Sequence, residues 1–271
     1  MAKSSRGGKR TSVTAGGGGT IAATQGGAAV NQQNQQVQID DTQQAQPMSA
    51  NYDAFMAMDD DQKAATIDSM VSNPAPDFLS DSALQRLTYN LKLNDTPTLV
   101  DDSVLDTMNG TELFRTVNSA KDSVNRLKYD ADEIASQIQK GRVTRYSDSG
   151  GSVYGRGIYF ANSYGSSKSY GNRNGDIKST AMVRAKLNSN AKTIDYYAAT
   201  KGLSKEMSSG SKLGKTLSKI NRRDSESAVS IYALSKGYNV ITSGHGYFNV
   251  LNRNAVTMSK TIKATNSTGR W

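Results

Sequence analysis

Cysteine is absent from the 271 residues, histidine occurs once, as His245, tryptophan once and proline four times. Without thiols the chain has no disulfide and no thiolate metal ligand, and a single imidazole leaves no basis for a histidine-based metal site. No stretch approaches the ~18 apolar residues of a membrane-spanning helix, so no membrane partner is expected. The first 47 residues lack Phe, Trp and Tyr and are built from GGGG, NQQNQQ and QQAQ runs with scattered aliphatics. Such a segment buries too little apolar surface to offset its chain entropy, and residues 1–47 are read as a disordered Gly/Gln-rich tail. Their basic start, MAKSSRGGKR, is followed by no apolar run of the secretory-signal kind. Acidic residues are also missing at the other end, where none follows Glu226.

That last absence shapes the charge. The formal net charge is +9, with residues 1–200 balanced at 21 basic and 21 acidic groups and residues 201–271 carrying 12 basic and 3 acidic. An anionic partner, whether protein, nucleic acid or the phosphates of a dinucleotide, fits this excess, and so does a solubilising face. Lys201, Lys205, Lys212, Lys215, Lys219, Arg222 and Arg223, interspersed with Gly202, Gly210 and Gly214, read as a basic, flexible insertion.

Hydrophobic spacing divides the remainder into a helical N-terminal segment, 48–76, and a domain, 77–271. Tyr52, Phe55, Met56, Ala64, Ile67 and Met70 recur at helical spacing, interrupted at Asp59–Asp61. Phe78 to Leu91 gives a second helical run that Thr96-Pro97 stops. A short helix is expected after Asp101, a turn at Asn109-Gly110, and a strand over Glu112–Val117. Val124, Leu127, Ala131, Ile134 and Ile138 predict one helix, closed by Gly141. Ile177 to Leu187 alternates as a strand, Ala228 to Leu234 forms a helix ended at Lys236-Gly237, and Tyr238–Thr242 is a strand. A single last strand is expected over Gly246–Met258.

The chain is organised around YGRGIYFANSYGSSKSYG, Tyr154 to Gly171. Gly155 and Gly157 allow a turn and a close approach to the backbone, and Ile158, Tyr159 and Phe160 are strand formers on alternating faces. Tyr159 and Tyr170 can converge on a slot if the strand ends near Asn162 and a helix follows, and two tyrosine rings suit a planar, cationic heteroaromatic.

These residues resemble the nicotinamide pocket of the ADP-ribosyltransferase superfamily, including its poly-ADP-ribose polymerase branch. The resemblance implies that Tyr159 and Tyr170 sandwich nicotinamide, that Ser167 (or Ser169) bonds its amide, and that Gly157 and Phe160 line the same cofactor site. ELFRTV, ahead of it, resembles the first strand of phage-encoded and toxin-like mono-ADP-ribosyltransferases and implies that Arg115 binds NAD. Thr116 stands where that family usually has glycine. Arg145 is a rival, set aside because only eleven residues separate it from Gly157, too few for the intervening helix. GYFNVLNR resembles the family's last strand, where Tyr247 occupies the place of the catalytic glutamate and His245 stands two residues before it. Arg115, Tyr159, Tyr247 and His245 are thus the implied catalytic set, and NAD the implied substrate.

The implied fold is α+β, a helical N-terminal portion with two packed small antiparallel sheets and an NAD cleft between them. The implied function is transfer of ADP-ribose to a macromolecule, a host protein or a nucleic acid. A phage or mobile-element product acting from the virion or in the host cytoplasm is the setting it brings. A non-catalytic, transferase-like virion structural or interaction module is the alternative.

Overall fold

Asp59 shows how the sequence sets its own boundaries. Its carboxylate accepts from the Gln62 N–H at 2.7 Å, while the Gln62 side-chain oxygen accepts from the Asp59 N–H at 3.1 Å. This reciprocal cap separates helix α1 (Ala50–Ala57) from α2 (Asp60–Ser72), with the break inside the acidic triplet. The computed structural model of the chain describes residues 50–74, 82–93, 97–121, 127–141, 154–171 and 180–264. The tail 1–47 and Arg145 lie outside the described residues. Ser82 caps α3 (Ala83–Asn90), then β1 (Thr98–Val100) and α4 (Asp102–Thr107) lead to β2 (Glu112–Asn118). The turn before β2 needs glycine: Gly110 has φ +122, and a Cβ there would lie 2.2 Å from the Leu187 carbonyl oxygen.

β3 (Ala120–Lys121) and β4 (Leu127–Tyr129) form a two-stranded ribbon, and α5 (Ala131–Gln139) follows. Of the helix expected over residues 124–138, the described part begins at Ala131, and Val124 lies outside the described residues. Leu127–Tyr129 pairs with the preceding strand instead, and Asp130 caps the helix by accepting from the Ala131 N–H at 2.7 Å. Next come β5 (Ile158–Ala161), α6 (Tyr164–Gly171), β6 (Thr180–Leu187), β7 (Thr193–Asp195), α7 (Tyr196–Ser208), α8 (Lys212–Asn221) and α9 (Ser225–Ser235). β8 (Val240–Thr242), β9 (Tyr247–Val250), a 3-10 turn at Arg253–Ala255 and β10 (Val256–Ala264) complete the described chain.

The basic stretch is not a flexible insertion. Leu203, Leu213, Leu217 and Ile220 are buried on α7 and α8 in one core cluster with Tyr52, Phe55, Ile67, Leu84 and Leu87 of the first three helices. Two of its glycines are close-packing sites: a Cβ on Gly214 would lie 2.2 Å from the Glu206 carbonyl oxygen, and one on Gly202 would meet the Tyr232 hydroxyl at the same distance. Lys212 and Lys219 of α8 pair with Asp61 and Asp68 of α2 at 2.7 and 2.8 Å. The apolar stripe, not the density of lysine and glycine, decides the structure of this segment.

The strands form one mixed eight-stranded sheet in the order β1-β10-β6-β2-β5-β9-β8-β7, in place of two packed sheets. Its outermost pairs, β1/β10 and β7/β8, are parallel, and the remaining neighbours are antiparallel. The two-part character survives as a seam. β2 pairs with β6 over seven residues, but with β5 only through Phe114 and Ala161. Two four-stranded halves thus meet at a single residue pair. The expected final strand is likewise two strands, because the 3-10 turn carries the chain from β9 in one half to β10 in the other. Arg253 in that turn is buried and donates its N–H to the Leu93 carbonyl at 3.1 Å. A second core cluster packs Ile134, Ala135 and Ile138 of α5 against Leu113, Val117, Ile158, Phe160 and Val183 of the sheet.

Candidate functional site at the sheet seam

Arg115 lies on β2 immediately after the residue that bridges the seam, and its Nη1 donates across it to the Tyr159 carbonyl oxygen at 2.7 Å. On the far side of β5, β9 runs antiparallel with Ala161 opposite Tyr247 and Tyr159 opposite Asn249. Opposed residues of an antiparallel pair share a face, so Tyr159, Ala161, Tyr247 and Asn249 line one side of the strand pair. β2, β5 and β9 are neighbours, and by the same rule Phe114, opposite Ala161, shares the face of Tyr159 and Tyr247, whereas Arg115, one residue on, belongs to the other face with Leu113 and Val117 and meets Tyr159 through its backbone carbonyl.

The approach to β5 is fixed by protein rather than left open for a ligand. The Tyr159 hydroxyl accepts from the Tyr154 N–H at 3.0 Å and donates to the Gly155 carbonyl oxygen. Asn249 Nδ2 donates to the carbonyls of Tyr154 and Arg156, both at 3.0 Å, and Ser230 of α9 donates to the Arg156 carbonyl at 2.7 Å. Gly155 and Gly157 have φ of +85 and +153. A Cβ on Gly157 would sit 1.9 Å from Asn249 Oδ1, and one on Gly155 2.6 Å from Ser230 Oγ. The close approach that these glycines permit is that of β9 and α9, which corrects the expectation that a ligand comes to the backbone there. Arg156 between them pairs with Asp224 at 3.1 Å and with Glu226 at 3.6 Å. Burial alone would raise the Asp224 pKa, but hydrogen bonds from the Ser227 hydroxyl and N–H, together with the Arg156 guanidinium, outweigh it and hold the carboxyl below its ordinary range. Asp224 caps α9, and Glu226 occupies the first turn of that helix.

Ser167 is buried, and its Oγ accepts from the Thr116 N–H at 2.7 Å and lies 3.0 Å from the Thr116 hydroxyl. Thr116 and Ser167 thus dock α6 onto β2 beside Arg115, with Phe114 and Tyr164 edge to face at 6.5 Å. Ser169, the alternative, is exposed and bonds the Ser166 carbonyl of its own helix at 2.9 Å. Phe160 is only 1 % exposed and packs in the α5-side core, so its side chain supports the strand from beneath. Tyr170 belongs to α6, and its side chain lies outside the described residues. His245 is exposed in the β8–β9 turn, where its N–H donates to Ser243 Oγ at 3.3 Å, and Gly246 at φ +77 completes that turn.

Tyr154, Tyr196, Ser230 and Asn249 join the site without having been singled out by sequence. Tyr154 stacks on Tyr247 with ring centroids 6.4 Å apart and planes 23° apart, and meets Tyr196 edge-on at 5.3 Å. The Tyr196-Tyr197 doublet was the one visible signal for this cluster. Comparison with models of known protein families, with curated proteins and with solved structures returns no match for this chain.

Proposed function

We propose that the seam is the NAD site of an ADP-ribosyltransferase that modifies a macromolecular target, in the phage or mobile-element setting that the sequence resemblance brings. The observation that carries this reading is the placement of Arg115, Tyr159 and Tyr247 on three neighbouring strands where the sheet narrows to one residue pair. A guanidinium is a planar, permanently charged donor suited to the diphosphate or ribose oxygens of NAD. Tyr159 supplies a ring for nicotinamide. In the reaction the bond between ribose C1′ and the nicotinamide nitrogen breaks, its electron pair leaves with nicotinamide, and the acceptor's nucleophile bonds to C1′ as it loses a proton. Groups aimed at the oxocarbenium-like sugar lower that barrier. Tyr247 offers a hydroxyl to the ribose and no carboxylate, so turnover is slow in the parent chain.

One observation favours a binding module instead: the hydroxyls of Tyr159 and Ser167 are both engaged with the protein's own backbone. Incubation with NAD labelled in the adenylate part separates the two. Label appearing in protein or nucleic acid of a host lysate, with nicotinamide released and both lost in Tyr159→Ala, is the expected result. No release above background from the folded parent assigns the module.

A further inference from the structure

Four tyrosines from three distant segments form a continuous row. Tyr247 stacks on Tyr154, Tyr154 meets Tyr196 edge-on, and Tyr196 meets Tyr197 at 5.8 Å with planes 64° apart. The row begins at the seam and ends on the surface, where Tyr197 is 72 % exposed, the most exposed of the large apolar side chains among the described residues. Its ring is open to a planar group that could stack on it, continuing the row outward.

On the helix face that Tyr197 presents, the charges that follow are positive. Lys201 and Lys205 follow it at steps of four residues on α7, so all three share one face and succeed each other at about 6 Å along the axis. Both lysines are exposed, and among the described residues neither makes an ion pair. Lys212, Lys219 and Lys236 differ, each facing a carboxylate of the helical bundle. The carboxylate at the start of α7, Asp195, is turned to the backbone, accepting from the N–H groups of Tyr197 and Ala198.

We propose that this row and its lysines bind single-stranded nucleic acid, with a base stacked on Tyr197 and the sugar-phosphate backbone running along Lys201 and Lys205. Resting on the transferase reading of the seam, it makes nucleic acid the acceptor, delivered along the row towards Tyr247. An exposed ring at the end of a tyrosine row, followed on the same helix face by two cations that make no ion pair among the described residues, suits a flexible polyanion of planar units. An acidic peptide matches the lysines and leaves the ring without a partner.

Binding is testable without NAD, so its outcome is independent of the transferase reading. The full chain is titrated into a fluorescent oligothymidylate of about 12 nucleotides and into its ribose counterpart, and anisotropy is followed from about 50 to about 200 mM salt. The parent binds at least one of them, and binding weakens as salt rises. Tyr197→Ala weakens it about tenfold or more while Tyr197→Phe retains it, and Lys201→Glu with Lys205→Glu both weakens binding and flattens its salt dependence. The three side chains changed, those of Tyr197, Lys201 and Lys205, are exposed, and circular dichroism verifies the fold of each variant. No binding by the parent, equal binding by Tyr197→Ala, or tighter binding of polyglutamate than of either oligonucleotide overturns the proposal. Oligonucleotide binding with no nicotinamide release overturns the transferase reading and leaves the platform standing.

Discussion

Arg115 donates to the carbonyl oxygen of Tyr159 across the narrowest point of the sheet, 2.7 Å from one half to the other. The contact holds the guanidinium at the seam and ties two strands that otherwise share one residue pair. A lysine at this position keeps the charge but loses the planar fork. Arg115→Lys is expected to weaken NAD affinity about tenfold or more, ~1.4 kcal/mol, in a calorimetric titration. An unchanged affinity would remove Arg115 from the site.

The residue in the glutamate's place offers a gain-of-function test. Tyr247→Glu places an ionised carboxylate beside Ala161 of β5, and nicotinamide release is expected to rise roughly 10²-fold. His245→Ala in the otherwise natural chain separates a second route. Loss of turnover in that variant, with no gain from Tyr247→Glu, would show that the imidazole has taken the carboxylate's role.

Gly157→Ala tests the packing of the strand start. The new methyl would overlap Asn249 Oδ1 at a φ of +153, where L residues are strained. A loss of at least about 2 kcal/mol is expected, seen as a melting temperature lower by roughly 4–8 °C. A melting temperature equal to the parent's would mean that β9 does not press on this turn.

Asp224 gives a pH signature. Its carboxyl is held below its ordinary range in the folded chain, so its ionisation favours folding above the unfolded value of about 3.9. That contribution is lost as pH falls through the lower folded value. Asp224→Asn should therefore be less stable than the parent in denaturant titrations at neutral pH, and the difference should shrink below about pH 3.9. A gap that stays constant down to pH 2 would remove the Arg156 pairing and the charged cap as its cause.

The local elements were legible because local rules control them. The acidic triplet at Asp59, Asn109-Gly110, Gly141 and Gly237 each end or begin an element through a cap or a left-handed turn that few other residues supply. The strands carrying Arg115 and Tyr159 were legible from β-formers next to those turns. What sequence could not carry is which strand lies beside which. Nothing in ELFRTV states that it touches β5 at one pair only, and nothing in GYFNVLNRNAVTM states that Arg253 will be buried and divide it between two halves of the sheet. Counting residue types also misled at α7 and α8, where four buried leucine and isoleucine side chains outweigh five lysines. Gly155 and Gly157 were recognised as points of close approach, but the approaching group comes from 75 and 92 residues downstream, as Ser230 and Asn249. Periodicity holds no information on that partner.

The docking of α1 and α2 also orders events during synthesis. Tyr52 donates to the Leu234 carbonyl at 3.1 Å across 182 residues, and the Asp61–Lys212 and Asp68–Lys219 pairs each span 151. A ribosome delivers these two helices well before α8 and α9 exist. Tyr52, Phe55 and Ile67 therefore have no lasting apolar partner from the last third of the chain until translation passes Leu234. Closure of this cluster is a late, long-range event, and the waiting helices are the part of the nascent chain most in need of protection from association with other chains.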